Sequence, residues 1–543
     1  MSLFDKYLSS VGEVGHVHSV NRVLVYCSGL TGAKIGEKVY FEDDQMGFVF
    51  AIGRELTEVL LLDINNVQIG SVVVRTGETL MVEAAQDLLG QVLDPFGIPI
   101  SSTRETSSLI SSSRETSSLI ERKGKLKDPK MMYLEQAAPP MIDRVRINEN
   151  LETGVTVVDV LIPIGKGQRQ LVIGDQKSGK TSFLVQTIAR QAQLGTVCIY
   201  VLIGKKKSDL ATTIERLKKF GVMDKTIVLA APASIPTSMI YLAPFTAFAI
   251  AEYFRDRGQD VLIVLDEISR HARYYRELSI LARKMPGRDG YPGDIFYLHS
   301  HLMERAGRFL SEEVSKGAKV SKVDKFGSAK SKGEDEQTLS LKISGKTASI
   351  TCLPVVETLN GDFTGYIQTN LMSMTDGHLF FDMNEFQQGF RPAVNISLSV
   401  TRTGKQTHKT IERDMSIKIK DVLFAYNQAR DVAKFGVELL QATQEKIKQG
   451  EKLMAVFDQE GDVIVPKMIQ LLYMQLLLSG FWAGTTPTEI KRHKTKILKA
   501  YAAGALDELV GQLKDSFELG SLKRFEEVVD KRQEELERIV NSK

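Results

Sequence analysis

The run QLVIGDQKSGKTSFLVQTIARQ, residues 170–191, leaves little freedom in what can surround it. QLVI predicts a buried strand, GDQKSGKT a phosphate-binding loop, and TSFLVQTIARQ the helix that the loop opens. Gly174 and Gly179 let the backbone turn so that its N–H groups face phosphate oxygens, with Asp175, Gln176, Lys177 and Ser178 completing the cradle. Lys180 is placed to reach the outer phosphates, and the Thr181 hydroxyl suits a Mg²⁺ ligand. The expected ligand is therefore ATP or ADP with Mg²⁺. A second carboxylate must hold the metal through water, and VLIVLDE supplies it as Asp266 at the end of an apolar run.

Around this loop the apolar runs QLVIGD, VCIYVLIG, TIVLAA and DVLIVLDE alternate with helical segments, which predicts an α/β domain with a mainly parallel sheet. Ahead of it, EVGHVHSV, RVLVYCSGL, EKVYFEDD, GFVFAIG, TEVLLLD and GSVVVRTG are short, alternating and broken by glycine, as in a small antiparallel barrel or sandwich. After about His408 the apolar spacing turns helical. The expected architecture is multidomain α/β: an N-terminal β-barrel over 1–93, a P-loop α/β domain over 94–408, and a C-terminal helical domain over 409–543. Two stretches interrupt the central domain, a Ser-rich tandem repeat at 101–120 and a Lys/Ser/Gly-rich insertion at 309–339, both read as solvated surface.

The charge balance, 70 basic against 67 acidic residues, argues against a dedicated nucleic-acid binder. Cys27, Cys198 and Cys352 form no metal-ligand spacing and read as reduced thiols. MIQLLYMQLLLSGFW is shorter than a membrane span and carries Gln470 and Gln475, so a buried helix is expected. The start MSLFDKYLSSVG has neither a secretory signal nor transit-peptide character.

Four longer stretches carry a resemblance: ETGVTVVDVLIPIGKGQRQLVIGDQKSGKT, PGRDGYPGDIFYLHS, LPVVETLNGDFTGYIQTNLMSMTDG and RPAVNISLSVTRTG. Together they resemble the alpha subunit of the F-type ATP synthase over nearly the whole chain, and differ from the catalytic beta subunit, whose P-loop is richer in glycine. The resemblance implies a ring in which alpha and beta subunits alternate around a gamma central shaft, with a delta or peripheral-stalk contact. Both subunits bind nucleotide and beta alone turns it over, for ATP synthesis or hydrolysis coupled to proton or sodium translocation. The expected location is the cytoplasmic face of a bacterial inner membrane, with the membrane met only through the assembled complex. About ten residues precede the barrel, fewer than a full stalk-meeting helix, which leaves stalk attachment open.

By the same resemblance Arg402 matches the arginine that alpha extends into the neighbouring beta site, and Arg391, Pro392 and Gln459 match residues around alpha's own adenine. Beta's general base follows the strand after the P-loop helix; here that place is Lys205, where alpha subunits usually carry Gln. A protonated lysine cannot act as a base. At ~5 Å and an effective dielectric of ~20 it would attract a phosphate charge by roughly 3 kcal/mol before desolvation. Gln176 and Lys177 replace the family's Arg-Gln pair, moving the loop's cation by one place. Glu267 is the remaining candidate base. Two other classes stay open: a self-sufficient P-loop ring ATPase, such as an export ATPase or a Rho-like helicase, and a binding module without energy coupling.

Overall fold

Six antiparallel strands close on themselves in the order Val14–Asn21, Leu24–Ser28, Thr57–Leu61, Met46–Ile52, Glu37–Phe41 and Val72–Thr79. Alternation drives the closure, because every second residue, among them Val25, Val39, Val49, Val59 and Val73, turns into one apolar core and is fully buried. A helix, Leu3–Ser10, is capped by Ser2 and lies on the barrel with Tyr7 stacked 5.6 Å from Tyr40. The computed structural model describes residues 2–63, 67–100, 126–310, 347–434 and 440–541. The tandem repeat at 101–120 lies outside the described residues, as does the 309–339 insertion from residue 311 onward.

The barrel ends earlier than the expected boundary at 93, with Thr79 its last residue. Val92 and Leu93 instead pair in parallel with Val228 and Leu229 and form an edge of the central sheet. A two-residue apolar run has the same signature in either sheet; only its distant partner decides, and local pattern does not name it.

The central sheet runs Val400–Thr401, Gly377–Phe381, Gln170–Gly174, Thr347–Glu357, Val261–Asp266, Val197–Ile203, Thr226–Ala231, Val92–Leu93. Neighbours are parallel except Val400–Thr401, while Gly307–Leu310 adds antiparallel to Thr347–Glu357. Both faces are covered, which is why these strands read as unbroken apolar runs. Val172, Tyr200, Leu262 and Val264 meet the helix Lys180–Gln193 and the C-terminal helices. Leu171, Ile173, Ile199 and Ile263 meet the helix Thr237–Asp256 and the barrel.

From Thr410 to Asn541 the described residues form a series of helices joined by short connections. Lys467–Leu478, the stretch expected as a buried helix, is one, and its Gln470 Nε2 donates to Asp159 Oδ2 at 2.8 Å. Among the described residues no helix is long and apolar enough to cross a membrane. The three cysteines are unpaired and buried, and burial pushes the Cys27 thiol up to about 12.

Candidate nucleotide site

Three parallel strands deliver the site's residues to one end of the sheet, the carboxyl end, where open α/β sheets bind ligands. Gln170–Gly174 sits between Gly377–Phe381 and Thr347–Glu357, and the turn at Gly174 is possible only without a side chain. A Cβ there would lie 2.4 Å from the Phe381 carbonyl oxygen. Gly179, at φ +99°, turns the chain into the helix Lys180–Gln193. Asp175 is fixed from the neighbouring loop, its Oδ1 accepting from Thr358 Oγ1 at 2.6 Å and its Oδ2 from the Gly361 N–H at 2.9 Å. Ser178 Oγ closes the loop on the Asp175 carbonyl at 2.8 Å. Lys180 is buried and donates to the carbonyls of Gly174 (2.6 Å) and Asp175 (2.7 Å). Burial draws its ammonium below the ordinary lysine value, opposed by the charges of Glu267 and Glu357. Thr181 is half-exposed at the first turn of the helix.

Lys205 turns inward. Its Nζ donates to Asp266 Oδ1 at 2.8 Å, and the Tyr200 hydroxyl donates to Asp266 Oδ2 in a short bond. Parallel pairing explains the meeting: Asp266 stands opposite Leu202, so Tyr200 is on the same face and Lys205 reaches back from just past the strand end. Asp266 is 1% exposed and the Lys205 side chain 13%, so the pair is largely shielded from water.

Sequence reading missed three members of this cluster: Tyr200, Arg270 and Glu357. Glu357 ends its strand directly opposite Gly174. Arg270, one helical turn past Glu267, binds Glu267 Oε2 at 2.6 Å and the Gly204 carbonyl at 3.0 Å, and lies 3.6 Å from Glu357. Burial pushes the Glu267 carboxyl up to about 7, helped by its hydrogen bond with Glu357. The signal for Glu357 was present in LPVVE, an apolar run closing on an acid, but nothing local ties it to the loop.

Arg391 and Pro392 form the rim. The Arg391 guanidinium lies 3.5 Å over the Phe386 ring, and a Cβ at Gly179 would lie 3.8 Å from that same ring, so rim and loop touch. The Arg391–Pro392 peptide is cis. Gln459 joins the rim through its backbone, its N–H donating to the Arg391 carbonyl at 2.6 Å. Its side chain points elsewhere: Oε1 accepts from Thr156 N (3.1 Å) and Oγ1 (3.0 Å), and Nε2 donates to the carbonyls of Gly154 (2.7 Å) and Val463 (2.8 Å).

Arg402 lies apart from all of these. Its backbone N–H donates to the Asp376 carbonyl at 3.0 Å, and Asp376 is gripped by Arg169 through Nε (3.1 Å) and Nη2 (2.8 Å). That is the amino end of the strands, roughly 20 Å from the loop at about 3.3 Å per residue. The Arg402 side chain is exposed.

The family profile described as the nucleotide-binding domain of the ATP synthase alpha/beta family matches residues 154–325 and 330–401, and the C-terminal domain of the alpha/beta chain matches 408–532. Curated proteins named ATP synthase subunit alpha align along most of the chain. That of Lactobacillus helveticus is 34% identical over 517 residues, covering 94% of this chain and 92% of its own. That of Ligilactobacillus salivarius is 36% identical over 473 residues (87% and 84%), and that of Caldanaerobacter subterraneus subsp. tengcongensis 34% over 505 (93% and 88%).

The chain belongs to the ATP synthase alpha subunit family.

Its barrel, central sheet and helical C-terminal region are the architecture of that family, and nucleotide binding follows from membership. Two features of the site bear on chemistry. Glu267, the remaining candidate base, is bound by Arg270 at 2.6 Å, which restricts its freedom to orient a water. Asp266, expected to hold Mg²⁺ with Thr181, has both oxygens engaged within the chain, one by an ammonium. A hydrated divalent ion needs carboxylate oxygen that is not already neutralised by a cation, so this donor set fits Mg²⁺ poorly as it stands.

Proposed function

We propose that this chain is a nucleotide-holding, non-catalytic alpha subunit that alternates with beta subunits around a gamma shaft and lends Arg402 to the beta site next door. In this reading its own loop, Gly174 to Thr181, keeps ATP or ADP for structure or regulation, with Arg391 and Pro392 at the adenine and Gln459 bracing them from behind. The assembled enzyme couples ATP synthesis or hydrolysis to proton or sodium movement from the cytoplasmic face of the membrane, with a delta or peripheral-stalk subunit as a further partner. The support is the placement of two cations at opposite ends of one sheet. Lys205 sits where a catalytic subunit needs a base and is tied to Asp266, while Arg402 is exposed and far from its own loop. An always-charged planar guanidinium suits bidentate work on a neighbour's phosphate.

The test is turnover of the reconstituted head carrying Arg402→Ala. ATP hydrolysis is expected to fall by about 10³-fold, the scale of an arginine finger, with this chain's nucleotide content unchanged. Near-normal turnover removes the reading. Steady hydrolysis by the purified chain alone, abolished by Glu267→Gln, would instead establish a self-sufficient ring ATPase.

A further inference from the structure

We propose that the Lys205 ammonium takes the place of magnesium in this nucleotide site, so that the chain holds free nucleotide and not its magnesium complex. The inference rests on the nucleotide-holding reading of the loop and extends it to the ionic form of the ligand.

Three observations carry it. Asp266, the carboxylate at the strand end where a water-held metal is expected, is 1% exposed and has its two oxygens engaged by Lys205 at 2.8 Å and by Tyr200. A magnesium ion brought to Asp266 would share a carboxylate with an ammonium, and like charges at that separation repel strongly in a poorly solvated pocket. Second, the ammonium sits beside the loop. Lys205 and Lys180 lie near enough for their charges to act on each other and on Glu267. Third, the donor count suits phosphate. An ammonium carries three N–H groups and Asp266 takes one, leaving others to turn toward outer phosphate oxygens.

Lys180 completes the arrangement. In this structure it donates to the carbonyls of Gly174 and Asp175, and a phosphate entering the loop offers it a charged acceptor in their place. Two ammonium groups then stand where one lysine and a divalent ion stand in the usual P-loop arrangement, with one positive charge fewer. The buried Asp266 becomes an anchor for a lysine and no longer a support for a hydrated metal.

The experiment is calorimetric titration of ATP into the purified full chain, once in excess EDTA and once in excess Mg²⁺. Because excess Mg²⁺ keeps most ATP as its complex, binding is expected to be at least about tenfold weaker in Mg²⁺ than in EDTA. Lys205→Arg is expected to preserve that preference for free ATP, and Lys205→Gln to remove it, with binding in Mg²⁺ at least as tight as without. The wild-type comparison and Lys205→Arg decide the matter if the Gln variant does not fold. Wild-type binding as tight with Mg²⁺ as without it, or tighter, or a manganese resonance showing one ion per bound ATP, overturns this inference alone. No ATP binding in either solution overturns it together with the nucleotide-holding reading.

Discussion

At the carboxyl ends of the parallel strands Lys180, Lys205 and Arg270 each close on a partner from the same chain, whereas at the amino ends Arg402 is anchored by its backbone alone and leaves its guanidinium to solvent. Both ends present basic residues at strand boundaries, yet the physical consequences differ. A shielded, mutually paired cluster contributes to the stability of its own domain and responds to removal of any member. An exposed arginine on an edge adds almost nothing to its own fold and is left with no role unless a neighbour supplies the acceptor. The contrast separates side chains spent on the chain's own fold from one left free of it.

The comparison can be broken by measuring unfolding of the isolated chain. Lys205→Ala should have the largest effect, about 3–5 kcal/mol in denaturant titration, because it leaves the buried Asp266 carboxylate without its cation. A loss below about 1 kcal/mol would mean the pair is wetter than its burial indicates. Asp159→Asn comes next. Its carboxylate accepts from Thr153 N (2.8 Å) and Oγ1 (2.7 Å), Gly154 N (2.9 Å) and Gln470 Nε2 (2.8 Å), and an amide turns donors toward donors. About 1–3 kcal/mol should be lost.

Glu267→Gln should change the pH dependence more than the stability at any one pH. The folded chain holds the Glu267 proton to about pH 7, above the ordinary value of 4.5. The stability this contributes is therefore complete below about pH 4.5 and is lost as pH rises through about 7. The variant should flatten that slope, which for one proton is at most about 1.4 kcal/mol per pH unit. Smallest of all, Arg402→Ala should alter unfolding of the isolated chain by no more than about 0.5 kcal/mol. A large destabilisation would show that Arg402 serves its own domain, and the distinction between the two ends would fail.

Much of this was legible in the residues because the signals were local. The six barrel strands show as alternation, the four core strands as unbroken apolar runs, and the loop as glycine at the places where the backbone turns or touches Phe381. What stayed hidden depends on long-range pairing. Val92–Leu93 joins the central sheet through a partner strand at Thr226–Ala231, and Glu357 reaches the loop because its strand lies beside Gln170–Gly174. Tyr200 and Arg270 were hidden for a related reason: each looks like ordinary strand or helix filler until Asp266 and Glu267 are placed beside them. Gln459 shows the reverse limit. The motif resemblance put it at the adenine, while the structure gives its side chain four partners elsewhere in the chain.

That last residue has a mechanical meaning. Gln459 rivets three pieces at one point: its backbone to the rim at Arg391, its amide to Gly154 and Thr156, and the same amide to Val463 in the connection between the helices Gln441–Phe457 and Lys467–Leu478. One residue therefore holds all three segments at a single point, and removing its side-chain amide would release the contacts to Gly154, Thr156 and Val463 together.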